Sequence, residues 1–190
     1  MNKTVLLVGV GGQGTILAGK VLAQVALNLN LDVKMSEIHG MAQRGGSVVT
    51  QIKMGEKIHS PMIEVGEADD IISFEKLEAQ RYLALLKPGG NIVYNDYEIA
   101  PMTVITGAAP YPDDIEENLN KAAGEVKKIP AYQMAEELGN IRTLNIILLG
   151  YVAQSWGEID KEVWLDAIRV TVPSRFIDLN IEAFERGYNY

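Results

Sequence analysis

The residues that most constrain this chain lie near its start. Thr4–Val8 is an unbroken apolar run, and it leads into Gly9-Val10-Gly11-Gly12-Gln13-Gly14 and then a long segment with helical patterning. A short apolar run without alternation suits a strand covered on both faces. Gly9, Gly11 and Gly14 have the G-x-G-x-x-G spacing, and they fall between a strand and a helix, where that spacing has a physical meaning. Glycines permit a tight turn, and a helix N-terminus presents backbone N–H groups that suit an anion. Gln13 adds an amide and Thr15 a hydroxyl at the same lip. Close strand–helix packing would call for the same glycines with nothing bound, so the loop alone leaves both readings open.

The rest of the chain extends this opening into one domain. Between Thr15 and Asn30, Lys20, Gln24 and Asn28 recur every fourth position, which gives a helix one narrow solvated stripe. Asp32–Ile38 reads as a second strand, completing a βαβ unit and predicting a parallel pair. The segment 39–66 reads as an elaboration extending from the sheet. It opens with His39-Gly-Met-Ala-Gln-Arg-Gly-Gly46, and then Val48, Thr50, Ile52 and Met54 alternate on one face. Gly55-Glu56-Lys57 reads as a turn and Lys57–Ser60 as a returning hairpin arm.

Strands follow at Asp69–Phe74, Ile92–Asn95 and Val126–Ile129, with an edge strand at Thr103–Thr106. Helices are predicted at Leu77–Leu86, Asp113–Ala123 and Tyr132–Leu138, and helices fill the last third. There, Thr143–Gln154 is too apolar for a one-faced surface helix, so it is either central in the domain or half of an interface. Lys161–Val170 follows, and then Ile177, Ile181, Phe184 and Tyr188 share one face. No repeat or linker divides the chain. The expectation is a single domain over 1–190 of α/β class. It is Rossmann-like, with a mostly parallel sheet, helices on both faces, a hairpin-like insertion around 47–60 and a helical C-terminal third.

Composition narrows the chemistry. The sequence has no cysteine, which removes disulfides, thiolate-held zinc, Cys-ligated iron–sulfur clusters and a Cys nucleophile. Seventeen basic against 25 acidic residues give a net charge of -8, and no basic patch is concentrated enough to hold nucleic acid. No stretch is long and apolar enough for a membrane span. Met1-Asn2-Lys3-Thr4 runs straight into a strand, so secretion is not expected and a cytoplasmic location is.

No catalytic or metal-ligating set stands out. His39 and His59 are the only histidines, and neither has ligand spacing or a paired aspartate. Glu37 ends the second strand where a ribose-binding carboxylate would sit in an NAD enzyme, or it is simply a polar strand end. His39, Gln43 and Arg44 lie at a strand's carboxyl end among glycines, where open α/β sheets bind ligands. Arg44 suits a phosphate or carboxylate, or an acidic neighbour in this acidic chain. Asn145, inside the most apolar helix, reads more readily as a satisfied structural amide than as a ligand group.

The combination of Gly9-Val-Gly-Gly-Gln-Gly14, His39-Gly-Met-Ala-Gln-Arg-Gly-Gly46, Asn140-Ile-Arg-Thr-Leu-Asn145 and the ending Asn180-Ile-Glu-Ala-Phe-Glu-Arg-Gly-Tyr188 resembles the gamma-type domain of 2-oxoacid:ferredoxin oxidoreductases. Within that family it is most similar to the beta subunits of the indolepyruvate enzymes. The resemblance implies oxidative decarboxylation of a 2-oxoacid, with the acyl group passed to coenzyme A and electrons to ferredoxin. It also implies a large alpha subunit carrying thiamine diphosphate and the iron–sulfur clusters. This chain would bind no cofactor alone and would be inactive when isolated, with homo-oligomer formation left open. By the same likeness, Gly9, Gly11, Gly12, Gln13 and Gly14, with His39, Gln43 and Arg44, would stand closest to coenzyme A or to the partner's site. Two other readings stay open at this point: an independent NAD(P)-dependent oxidoreductase and a non-catalytic Rossmann-like binding protein.

Overall fold

In the computed structural model the described residues are 1–39 and 46–190, with His39 described by its backbone alone. Six strands form one sheet: β1 (Lys3–Val10), β2 (Asp32–His39), β3 (Ser47–Gly55), β4 (Ala68–Ser73), β5 (Leu86–Asn95) and β6 (Glu125–Ile129), in the order β2-β3-β1-β4-β5-β6. The β1–β4, β4–β5 and β5–β6 pairs are parallel; β3 runs antiparallel to both neighbours.

Alternation along β1 explains the three layers. Val5 and Leu7 point to one face and Leu6 and Val8 to the other, and all four are fully buried. The first face is covered by α1 (Thr15–Asn28), α5 (Ala131–Glu137), α6 (Leu144–Trp156), α7 (Lys161–Thr171) and α8 (Ile177–Tyr188). The second carries α2 (Lys76–Arg81) and α4 (Ile115–Ala122), counted past the one-turn helix α3 (Met102–Ile105). On α1, Gln24 Nε2 donates to Asn28 Oδ1 at 2.8 Å along the expected solvated stripe.

The apolar Thr143–Gln154 segment is central in the domain. As α6, it packs among α1, α5, α8 and β5, burying Leu144 through Gly150 without interruption. Helix α8 crosses it so closely that a methyl at Gly150 would overlap the Phe184 carbonyl, and one at Gly187 the Ile147 carbonyl.

Three sequence expectations change. Strand β2 does not lie beside β1, because β3 inserts between them; the antiparallel hairpin is β2–β3, and Lys57–Ser60 forms no strand. Alternation identifies the faces of a strand but not its neighbours, so the 47–55 run reads in sequence as an appendage. Thr103–Thr106 is not an edge strand. Pro101 precedes a helical turn there, and its carbonyl accepts the Val104 and Ile105 N–H groups. The Leu77–Leu86 helix is shorter, ending at Arg81, with a 3-10 turn over Leu83–Leu85 before β5.

Candidate functional site

The sheet reverses its winding between β1 and β4. From β1 the chain crosses by α1 toward the β2 edge, and from β4 it crosses by α2 toward β5. Loops leaving two such strands diverge, and the crevice at their carboxyl ends is where open α/β sheets take ligands. Here those loops are Gly11–Gly14 and Phe74–Glu75.

Gln13 holds the base of this crevice. Its Oε1 accepts the Val10 N–H at 2.7 Å, and its Nε2 donates to the Phe74 carbonyl at 2.8 Å. One side chain thereby ties the end of β1 to the end of β4. Asn95 Nδ2 donates to the same carbonyl at 3.1 Å, while its Oδ1 accepts the Tyr132 N–H at 3.0 Å, so the tie reaches β5 and α5. The Gln13 amide, read from the sequence as a donor at the lip, is engaged inside the protein at both ends.

The loop itself has one open side and one backed side. Gly12 (φ 101°) and Gly14 (φ 82°) adopt left-handed backbone that other residues rarely enter. A Cβ on Gly12 would meet no described residue within 4 Å, whereas one on Gly14 would lie 2.6 Å from Asn145 Nδ2. Gly9 belongs to β1, and a side chain there would press on Phe74 Cβ at 3.0 Å.

The two glycine motifs read in the sequence meet here. The Gly11 N–H donates to the Gly46 carbonyl at 3.0 Å. Pairing of Val10 with Ser47 and of His39 with Val48 puts the backbone on both sides of 40–45 at this same edge. Gln43 and Arg44 lie outside the described residues.

The anchors on the far side leave little trace in the sequence. Ser47 Oγ donates to Glu78 Oε2 at 2.5 Å and lies 3.0 Å from the Tyr82 hydroxyl, so α2 pins the start of β3. Glu78 also accepts from Arg81 Nε at 3.0 Å. Glu75 is 1% exposed; it accepts from the Glu78 N–H (2.9 Å), the Ile99 N–H (3.1 Å) and the Tyr111 hydroxyl (2.7 Å). Burial pushes its carboxyl above the usual carboxylate range, and the three donors pull the other way. Burial and the adjacent Glu75 likewise push the Tyr111 hydroxyl up. Glu75 thus fastens the 96–114 segment over the end of β4. Its one signal in the sequence is a carboxylate three residues before another at the start of a helix.

Glu37 is placed differently from a ribose-binding carboxylate. It pairs with Thr50 on β3, and β3 occupies the position beside β1 that the second strand holds in the dinucleotide-binding order. That sets β2 two strand spacings, about 9.6 Å, from β1. Among the described residues no three His, Cys, Asp or Glu side chains gather as metal ligands would.

The amino end of the sheet holds a groove of about 410 Å³ lined by Lys3, Lys53, Lys57, His59, Glu67 and Asp69 among others. Its charges largely cancel: Lys3 pairs with Asp70 at 3.1 Å, Lys53 with Glu67 at 2.5 Å, and Lys87 with Asp69. His59 therefore lies at the opposite end of the sheet from the glycine loop.

Fold and site together define an α/β unit that offers a glycine lip at a switch-point crevice, with exposed apolar residues around it: Ile16, Ile38, Ile141, Met102 and Ile105. The chain belongs to the pyruvate ferredoxin/flavodoxin oxidoreductase family, whose sequence pattern matches residues 4–190. It is 39% identical over 191 residues to the indolepyruvate oxidoreductase subunit IorB of Methanothermobacter thermautotrophicus, covering 99% of this chain and 97% of that protein. Its fold is similar to the gamma subunit of the keto/oxoacid ferredoxin oxidoreductase of Geobacter sulfurreducens (TM-score 0.72, 23% identity, 98% of this chain and 96% of that one). It is also similar to part of the 2-oxoglutarate:ferredoxin oxidoreductase of Magnetococcus marinus, solved with 2-oxoglutarate, coenzyme A and succinyl-CoA (TM-score 0.74, 19% identity, 99% of this chain and 30% of that one). No helix of the described residues is long and apolar enough to cross a membrane.

Proposed function

We propose that this chain is the non-thiamine, beta-type subunit of a 2-oxoacid:ferredoxin oxidoreductase acting on an aryl 2-oxoacid of the indolepyruvate class. The reaction removes carbon dioxide from the 2-oxoacid, transfers the acyl group to the coenzyme A thiol and passes two electrons to ferredoxin. The 39% identity to an indolepyruvate oxidoreductase subunit, over nearly the full length of both chains, supports the assignment. With no cysteine in the sequence, the iron–sulfur clusters belong to a large partner subunit, together with thiamine diphosphate. That the same unit makes up 30% of a longer oxidoreductase chain supports its working as part of an assembly.

The observation that carries the reading is the Gly11–Gly46 hydrogen bond, which joins both glycine motifs at one crevice. The role is positional. The open side at Gly12 and the residues His39, Gln43 and Arg44 receive the anionic part of coenzyme A, and the exposed apolar rim seats the large subunit and excludes water. Gly9, Gly11, Gln13 and Gly14 give the lip its shape. The displacement of Glu37 from β1 speaks against the NAD(P) reading.

The test is reconstitution with the large subunit. The complex should reduce ferredoxin only with both a 2-oxoacid and coenzyme A present. Arg44→Ala should raise KM for coenzyme A about tenfold, the loss expected for one charged contact, with KM for the 2-oxoacid unchanged. Tight NAD(H) binding by the isolated chain, with no change of KM in the variant, would overturn the proposal.

A further inference from the structure

Asn145 is a buried amide whose surroundings assign it a task. It sits in the first turn of α6, 1% exposed, among Leu144, Ile146, Ile147 and Leu148. A polar group in such company is destabilising unless its hydrogen bonds are made. They are made across the molecule: Nδ2 donates to the Gly14 carbonyl at 3.0 Å, 131 residues away in sequence, while Oδ1 accepts the Ile146 N–H at 2.9 Å. The two bonds fix the amide's orientation, since a flip would set oxygen against oxygen and N–H against N–H.

The carbonyl it holds is a particular one. Gly14 precedes α1 in left-handed backbone and offers no side-chain cap, and its carbonyl accepts the first helical bond, from the Ala18 N–H at 3.1 Å. Asn145 therefore grips the atom from which α1 is built. It also fills the space behind Gly14 that a Cβ would need. At Gly12, by contrast, a Cβ would meet no described residue within 4 Å. Gln13 secures the loop to β4, so Asn145 is the second of two amides that hold the loop in place.

We propose that Asn145 is a positioning residue for the coenzyme A step: by clamping the Gly14 carbonyl it sets the orientation of the glycine lip and of the first turn of α1. This rests on the reading that the lip receives coenzyme A. The side chain touches neither substrate nor cofactor.

The test uses the reconstituted complex. Asn145→Asp keeps the shape and the acceptor for Ile146 but replaces the donor to Gly14 with a second acceptor. KM for coenzyme A should rise about tenfold, the effect of one misdirected hydrogen bond at a binding site, while KM for the 2-oxoacid stays within about twofold. Asn145→Ser, too short to span to Gly14, reads the same contact if the aspartate prevents assembly, and should raise the same constant. Unchanged KM for coenzyme A in assembled Asn145 variants, beside a raised value in Arg44→Ala, would show that Asn145 is structural only and leave the lip reading standing. Unchanged values in all three variants would overturn both.

Discussion

The two ends of the sheet differ in a way that shows where function resides. The amino end has a groove, but its Lys3, Lys53, Glu67 and Asp69 are each engaged in an ion pair. The carboxyl end presents instead a glycine loop whose Gly12 has no described residue within 4 Å of where a Cβ would stand. A hollow whose charges are mostly paired has less to offer a ligand. An opening backed by amides that hold it in shape has more. The difference follows from strand direction: parallel strands send their diverging loops, and the start of α1, to one end only.

The comparison can be broken most sharply at Gln13. Gln13→Leu removes both side-chain hydrogen bonds by which Gln13 links the ends of β1 and β4, and leaves the Val10 N–H without its Gln13 acceptor. It should destabilise the chain by about 2–3 kcal/mol, measured by urea unfolding. It should also raise KM for coenzyme A in the complex; a variant of wild-type stability would mean that the tie is not what holds the lip.

At the other end, Lys53→Met breaks a partly exposed ion pair. The expected loss is about 1 kcal/mol or less, shrinking with added salt, and the kinetic constants should stay where they were. Smaller again is the pH signature of Glu75. Its folded-state pKa is raised, so the native state binds the proton more tightly than the unfolded chain does. Its contribution to stability is therefore greatest at low pH and declines as pH rises from the ordinary carboxylate value through the raised one. Subtracting the unfolding free energies of Glu75→Gln from those of the wild type between pH 4 and 7 should show that decline; a difference that grows with pH would contradict a carboxyl raised by burial. Last, Lys57→Ala and His59→Ala in the amino-end groove should leave stability within about 0.5 kcal/mol and KM for coenzyme A unmoved.

Much of the fold is legible because two-sided burial leaves a strong mark. Thr4–Val8 and Thr143–Gln154 are apolar all round, and the structure places both at the centre. What escapes the sequence is adjacency. Alternation at Val48, Thr50, Ile52 and Met54 signals a strand, yet nothing local reveals that it slides between β1 and β2. Thr103–Thr106 misleads because β-branched residues in a short exposed piece carry only a weak preference, which one proline before the turn outweighs. At the candidate site the glycines are readable from their spacing. The partners that give them shape are not, since Phe74, Asn95 and Asn145 come from three distant parts of the chain.

The Asn145–Gly14 clamp also orders events in time. The glycine loop leaves the ribosome 131 residues ahead of the amide that backs it, and the helix that crosses α6 follows later still. A nascent chain can therefore pair β1 with β3 long before its lip acquires its final form. A product truncated before α6 would display the most recognisable motif of the sequence and lack the part that sets its aim.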